Sequence, residues 1–177
     1  MAEARLQGEG FVLRPWRAGD LDALVRHAND ERVSAGLSQR FPFPYTRADA
    51  EEFLSGRVVA FDDPVFAIEI DGEACGGIGA HPGKGDRART AEFGYWLGPV
   101  HWGNGLMTRI VGVFAPWVMD ELQLFRLQAS VLDFNAGSAR VLQKNGFEEE
   151  GVQRAAVFKR GVLHDLRLFA RLSPTLG

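Results

Sequence analysis

Residues Glu92–Thr108 read EFGYWLGPVHWGNGLMT, and the stretch changes character twice. An apolar, aromatic run suited to a β-strand breaks at Gly98-Pro99. Gly103-Asn104-Gly105 then leads straight into a helix-patterned segment. A strand that passes through a glycine-bearing loop into a helix is a physical device for holding an anion. The first turn of a helix has backbone N–H groups without partners and about half a positive charge, and glycines let the backbone approach a ligand closely. The spacing is not the GxGxxG dinucleotide fingerprint, whose third glycine would fall on Thr108.

On the C-terminal side, Leu106, Ile110, Val113, Phe114, Trp117 and Val118 trace one helical face, and Phe125–Leu132 reads as a strand. The stretch therefore opens a βαβ crossover with its loop at the carboxyl end of a strand, where ligands of open α/β sheets sit. Asn135 caps a helix running through Lys144, Gly146 stops it, and Phe147–Arg160 and Val162–Ala170 are two final strands joined near Gly161. On the N-terminal side, Phe11–Arg14 is a strand closed by Pro15. Asp20 caps a helix whose buried face is Leu21, Leu24, Val25 and Ala28. A looser stretch ends in Phe41–Tyr45 (FPFPY), and Thr46 with Asp49 starts a second helix that buries Phe53, Leu54 and Val58. Val65–Ile70 and Glu73–Ala80 form a hairpin around Asp71-Gly72, with Gly76, Gly77 and Gly79 implying close backbone approach. His81–Thr90 is a polar, solvated loop without the GxxxxGK[ST] spacing of a nucleotide P-loop. The order is β-α-α-β-β-β-α-β-α-β-β: one mixed α/β (α+β) domain over residues 1–177.

Composition narrows the classes. A net charge of −3 argues against nucleic acid as the main partner, because phosphate backbones need a basic surface. No apolar run is long enough to span a bilayer and no signal-peptide pattern opens the chain, so a cytoplasmic protein away from membranes is expected. The single cysteine, Cys75, rules out an internal disulfide or a multi-thiolate metal site and reads as a small buried hydrophobe. His27, His81, His101 and His164 show no metal or catalytic-triad spacing, and no metal is expected. His164-Asp165, on the last strand, is the pair to watch.

The chain resembles the GNAT-family N-acetyltransferases, and within them the branch that acetylates protein N-terminal amines, typified by ribosomal-protein alanine acetyltransferases. The resemblance runs over nearly the whole chain. It is most specific at YWL…WGNG and at the N-x-x-S-x-R-V-L-x-K-x-G-F phrase that begins at Asn135. It implies a central, mostly antiparallel mixed sheet of about six to seven strands flanked by about four helices. It implies that Trp102-Gly103-Asn104-Gly105-Leu106-Met107 grips the diphosphate of acetyl-CoA through main-chain amides, with the Thr108 hydroxyl adding a contact. Trp102 stands where many relatives have Arg or Gln, and Met107 where they have Gly or Ala. Pantetheine is then expected along Phe93–Leu97 (Phe93, Tyr95, Trp96 and Leu97), reached also by Asn135, which reads equally as a plain helix N-cap. Arg140 and Lys144 face either the ribose phosphate or solvent.

The implied reaction is direct attack of a primary amine on the thioester within a ternary complex, with Glu92 as base and Ser138 as the group that bonds the sulfur. Many relatives place a tyrosine donor seven residues after the asparagine; here that position is Leu142. The acceptor is a protein N-terminus or a small amine (polyamine, amino acid or antibiotic), and a homodimer is the common assembly of relatives. A non-catalytic coenzyme A-binding sensor and a nucleotide-phosphate binder are the competing readings.

Overall fold

The computed structural model describes residues 4–176. Residues 1–3 and 177, included in the single-domain reading, lie outside that range. The strands are β1 (Leu6–Gly8), β2 (Phe11–Pro15), β3 (Val65–Ile70), β4 (Glu73–Pro82), β5 (Thr90–Leu97), β6 (Arg126–Leu132), β7 (Glu148–Lys159) and β8 (Val162–Leu172). The helices are α1 (Leu21–Ala28), α2 (Glu31–Ala35), α3 (Arg47–Leu54), α4 (Leu106–Glu121) and α5 (Ala136–Lys144). All eight strands form one sheet in the order β1-β2-β3-β4-β5-β6-β8-β7. Every neighbouring pair is antiparallel except β5–β6, which the α4 crossover makes parallel.

Local sequence explains the main elements. Asp71 and Gly72 both take positive φ (50° and 84°), as a two-residue hairpin turn between right-twisted strands requires. A Cβ on Gly77 of β4 would lie 2.8 Å from Trp96 Nε1, so that glycine is the space the indole of β5 occupies. α4 buries Ile110, Val111, Phe114, Ala115 and Val118 on one face of the sheet. There Phe114 meets the rings of Phe66 and Phe93. The opposite face carries α1 and α3 in a second cluster of Leu24, Ala28, Tyr45 and Ala50 against Trp16, Phe41 and Trp96.

The structure corrects the sequence reading in several places. Among the described residues there are eight strands rather than six to seven, and five α-helices rather than four. The additions, β1 and α2, are three and five residues long, too short to display a period. α2 starts where Asp30 accepts the Arg32 amide at 2.9 Å. β4 runs on to Pro82 and β5 begins at Thr90, so the expected polar loop shrinks to a short link with one 3₁₀ turn.

Asp20 makes no side-chain cap to α1. Its carboxylate instead receives two 2.8 Å bonds from the Arg14 guanidinium, which is only 3% exposed and also meets Glu69. A fork bound to a carboxylate on both nitrogens keeps a buried charge satisfied and ties β2 to the start of α1. Removing Asp20 strips two buried guanidinium N–H groups of their carboxylate and leaves Glu69 alone to meet the charge. Asp20→Ala is therefore expected to destabilise the protein by about 3–5 kcal/mol, read from the urea midpoint; a loss below about 1 kcal/mol would reduce the pair to surface quality.

Candidate functional site

β5 and β6 pair only at Thr90–Arg126, Ala91–Leu127 and Glu92–Gln128, then part. Past that point the groups that β5 turns toward β6 have no strand partner. The gap widens into a cleft of about 620 Å³, within the usual range of small-molecule sites. One wall is β5 from Phe93 to Leu97, and the other is β6 at Ala129–Val131 with the first turns of α5.

At the mouth lies the loop that opens α4. Gly103 and Gly105 take φ of 88° and 75°, the left-handed region that favours glycine. A Cβ on Gly103 would meet nothing within 4 Å. The loop's backbone is thus open to a ligand. Among the described residues the first-turn amides of Leu106, Met107 and Thr108 have no hydrogen-bond acceptor, and α4 has no side-chain cap. The indole N–H of Trp102 donates to the Leu97 carbonyl at 2.8 Å and clips the loop to the end of β5. That contact accounts for a tryptophan at the first position of the loop. Arg109, one turn into α4, donates to the Asn104 carbonyl at 3.2 Å.

The charges in the cleft are one-sided. Arg32, Arg140 and Lys144 line it, Arg32 bonded to Asp30 at 2.8 Å, and among the described residues no carboxylate is in the lining. With the positive end of α4 added, the site suits an anion although the chain as a whole is acidic. His101, also in the lining, is held below the usual histidine range by burial and by the neighbouring His27 ring.

Deeper in, the two walls touch through polar groups. The Asn135 side chain accepts the Ser138 amide at 3.2 Å, so it is the N-cap of α5, and it also faces the cleft. Tyr95 on β5 bonds the Ser138 hydroxyl across the gap at 2.7 Å. Burial pushes the Tyr95 phenol up to about 12, the bond to Ser138 offsetting part of the rise. Leu142 is fully buried in the core and offers the cleft nothing polar.

Fourteen of the residues singled out from sequence line this cleft: Phe93, Tyr95, Trp96 and Leu97; Trp102, Gly103 and Gly105–Thr108; Asn135, Ser138, Arg140 and Lys144. Asn104 and Glu92 do not. Glu92 is exposed at the last position of β5 that pairs with β6, on the strand face that carries Gly94 and Trp96. The partner of His164 is Asp133, at 2.9 Å, not the adjacent Asp165, whose carboxylate accepts the Ala155 amide. Cys75 is buried and its thiol is pushed up to about 11, which keeps it protonated and unreactive. Donor atoms of Cys75, His27 and Glu73 lie within 4.8 Å of one another, with Glu73 already bonded to His27 and Arg26.

Sequence reasoning missed the third wall, formed by Arg32, Val33, Gly36 and Leu37 from α2 and the turn after it. The Arg32 guanidinium lies over the Trp102 ring at 5.9 Å, and a Cβ on Gly36 would come 3.0 Å from the Asn135 amide. Only the Asp30 cap signalled this segment.

Comparison with known proteins bears on the same residues. A family model described as "Acetyltransferase (GNAT) domain" matches residues 11–148. The probable N-acetyltransferase YjcK of Bacillus subtilis is 42% identical over 86 residues, 49% of this chain and 48% of that protein. The ribosomal-protein-serine acetyltransferase of Escherichia coli is 31% identical over 84 residues, 48% of this chain and 47% of that protein. This chain thus spans about half the length of these relatives. The solved structure of Mycobacterium smegmatis RimJ in complex with CoA-disulfide superposes with a TM-score of 0.84 at 26% identity, covering 98% of this chain and 88% of that one. No helix among the described residues is long and apolar enough to cross a membrane.

The raised tyrosine pKa has a measurable consequence. The chain has two tyrosines, and Tyr45, like Tyr95, is pushed up to about 12 by burial, against about 10 when unfolded. Between those values the folded state holds protons that the unfolded state has lost, so stability falls as pH rises from about 10 to 12. Tyr95→Phe is expected to flatten that fall in urea melts taken across this window; an unchanged slope would mean that the phenol is not held neutral by the fold.

Proposed function

From the premise that the chain belongs to the GNAT acetyltransferase family, we propose that it moves the acetyl group of acetyl-CoA to a primary amine. The observation that carries this reading is the parting of β5 from β6 into a cleft lined by Arg140, Lys144, the Asp30-paired Arg32 and the amino end of α4, with no carboxylate in the lining among the described residues. In this reading the amides of Leu106, Met107 and Thr108 and the backbone of Gly103 and Gly105 hold the diphosphate. Arg140 and Lys144 hold the ribose phosphate, and pantetheine lies along the unpaired edge of β5 as an added strand would. The family match supports this assignment, and coenzyme A bound to a structural relative supports the cosubstrate.

The chemistry assigned to the site is direct transfer. The amine nitrogen attacks the thioester carbon, the C–N bond forms, the C–S bond breaks, and the electron pair leaves on sulfur. Holding both reactants in one cleft supplies about 7–11 kcal/mol of the barrier reduction when their alignment is good. Backbone N–H groups of the open β5 edge stabilise the oxyanion, and the Ser138 hydroxyl bonds the sulfur. The amine must lose a proton, and we assign its capture to Glu92. Because Glu92 stands outside the cleft lining, that transfer runs through water. The acceptor we favour is the α-amine of a protein, on the likeness to a ribosomal-protein-serine acetyltransferase.

Turnover separates this reading from a coenzyme A-binding sensor. The protein is incubated with acetyl-CoA and a panel of peptides with free N-termini, polyamines and amino acids, and released thiol is followed. Binding without thiol release from any acceptor favours the sensor, and release only from small amines moves the acceptor away from protein. A nucleotide-phosphate binder would be stabilised thermally by ATP and not by acetyl-CoA.

Two substitutions test the assigned groups. Gly105→Glu is expected to cost at least about tenfold in acetyl-CoA affinity by setting a carboxylate against the diphosphate, whereas Gly105→Asn, neutral and tolerant of positive φ, retains binding. Equal affinity in the two variants would sink the diphosphate assignment. Glu92→Gln is expected to lower kcat/KM by about a hundredfold, most at pH below the amine's pKa. An unaltered pH profile would remove Glu92 from the role of base.

A further inference from the structure

Resting on the reading of the cleft as an acetyl-thioester site, we infer that Tyr95 is a positioning residue whose phenolic O–H fixes the Ser138 hydroxyl as donor to the departing sulfur. The two side chains come from opposite walls, Tyr95 from β5 and Ser138 from the first turn of α5, and meet at 2.7 Å. Ser138 is fixed from its other side as well, since its amide donates to the Asn135 carboxamide oxygen at 3.2 Å. What remains free on Ser138 is the direction of its hydroxyl proton.

Either oxygen of the pair can donate to the other. If serine donated to tyrosine, the phenolic proton would be left with the Ser138 carbonyl at 3.4 Å, a long bond. If tyrosine donates to serine, the serine proton turns toward the cleft. Negative charge growing on a sulfur beside Ser138 selects the second arrangement, because an anion accepts from the nearest O–H and polarises the chain behind it.

The magnitudes decide that Tyr95 holds a proton rather than giving it. Its phenol is pushed up to about 12 by burial, well above the ~8.5 of an ordinary thiol, so transfer from tyrosine to thiolate runs uphill. The sulfur therefore departs as a thiolate held by the Ser138 O–H and takes its proton from water on release. The proton lost by the amine goes to the base, and the tyrosine ends the cycle as it began. Leu142, buried and aliphatic, supplies no other donor from α5.

The test uses free coenzyme A bound to the full chain, with its thiol titrated through the ultraviolet absorbance of the thiolate. In the unmodified protein the bound thiol is expected to ionise about one unit lower than in Tyr95→Phe or Ser138→Ala, the shift that a roughly tenfold stabilisation of the anion gives. The double variant is expected to match Ser138→Ala, because the tyrosine acts only through the serine. Turnover should follow, with kcat down about tenfold in each variant and KM for acetyl-CoA unchanged. The inference is overturned if Tyr95→Phe binds coenzyme A and titrates like the unmodified protein, or if the losses in the two single variants simply add. Should Tyr95→Phe fail to fold, a fluorinated tyrosine at position 95, a stronger donor of the same shape, is expected to lower the thiol's titration further; no change there has the same overturning force. If the unmodified protein shows no thermal stabilisation by coenzyme A, the reading of the cleft itself fails, an outcome distinct from bound coenzyme A with an unshifted thiol.

Discussion

Parallel pairing between β5 and β6 stops after Glu92 and Gln128, and from that interruption the rest of the site follows. Each strand is firmly held on its other side, β5 by seven antiparallel pairs to β4 and β6 by seven to β8. The sheet is thus two twisted ribbons joined at one end, and independent twist carries them apart beyond the joint. The joint is reinforced where the chain enters β6. The Arg89 carbonyl accepts the Phe125 amide at 2.9 Å, and the Arg89 guanidinium donates to the Gln123 carbonyl at 2.8 Å while lying over the Phe125 ring. Unpaired backbone groups inside a protein are costly, so a gap of this kind calls for an extended occupant bearing amides.

Charge is distributed with the same logic. The chain carries more acid than base, yet several of its carboxylates are engaged away from the cleft. Asp20 and Glu69 meet Arg14, Glu73 meets Arg26 and His27, Glu149 meets Arg167, and Glu150 meets Arg126. These partners hold Glu69, Glu73, Glu149 and Glu150 below the usual carboxylate range. Of the cations that face the cleft, Arg32 is paired with Asp30 at 2.8 Å, whereas Arg140 and Lys144 have no ion-pair partner among the described residues. Net charge describes solubility and encounter; the sign of a site depends on which charges are already paired.

The same distinction explains what could be read from the residues alone. The Asp71-Gly72 turn, the apolar face of α4 and the capped helix at Asn135 are local patterns, and the structure has all three where the sequence puts them. The glycines of β4 announced a close approach, and Trp96 is what approaches Gly77. Asp20 looked like a helix cap because Asp often is one; its capture by Arg14 depends on how β2 lies against α1, which no local pattern encodes. Glu92 was legible as the start of a strand, but its distance from the cleft depends on where the strands part. Tyr95 and Ser138 stand 43 residues apart and meet only because α4 carries the chain across the sheet.

The third wall shows how far such non-local effects reach. α2 is five residues long, well short of what holds a helix together by itself, so its position must come from outside. The Lys159 ammonium, at the end of β7, donates to the Ser34 carbonyl at 2.5 Å, which also accepts the Leu37 amide at 3.2 Å, and to the Leu37 carbonyl. Arg160 adds bonds to Glu31 and to the Ser34 hydroxyl. Burial lowers the Lys159 pKa, a cost accepted where two carbonyls take up the charge. The turn between β7 and β8 therefore adds to the C-terminal cap of α2 and helps to set where Arg32 and Leu37 stand over the cleft. By linkage, whatever displaces that hairpin displaces the wall, and whatever the wall grips holds the hairpin in turn.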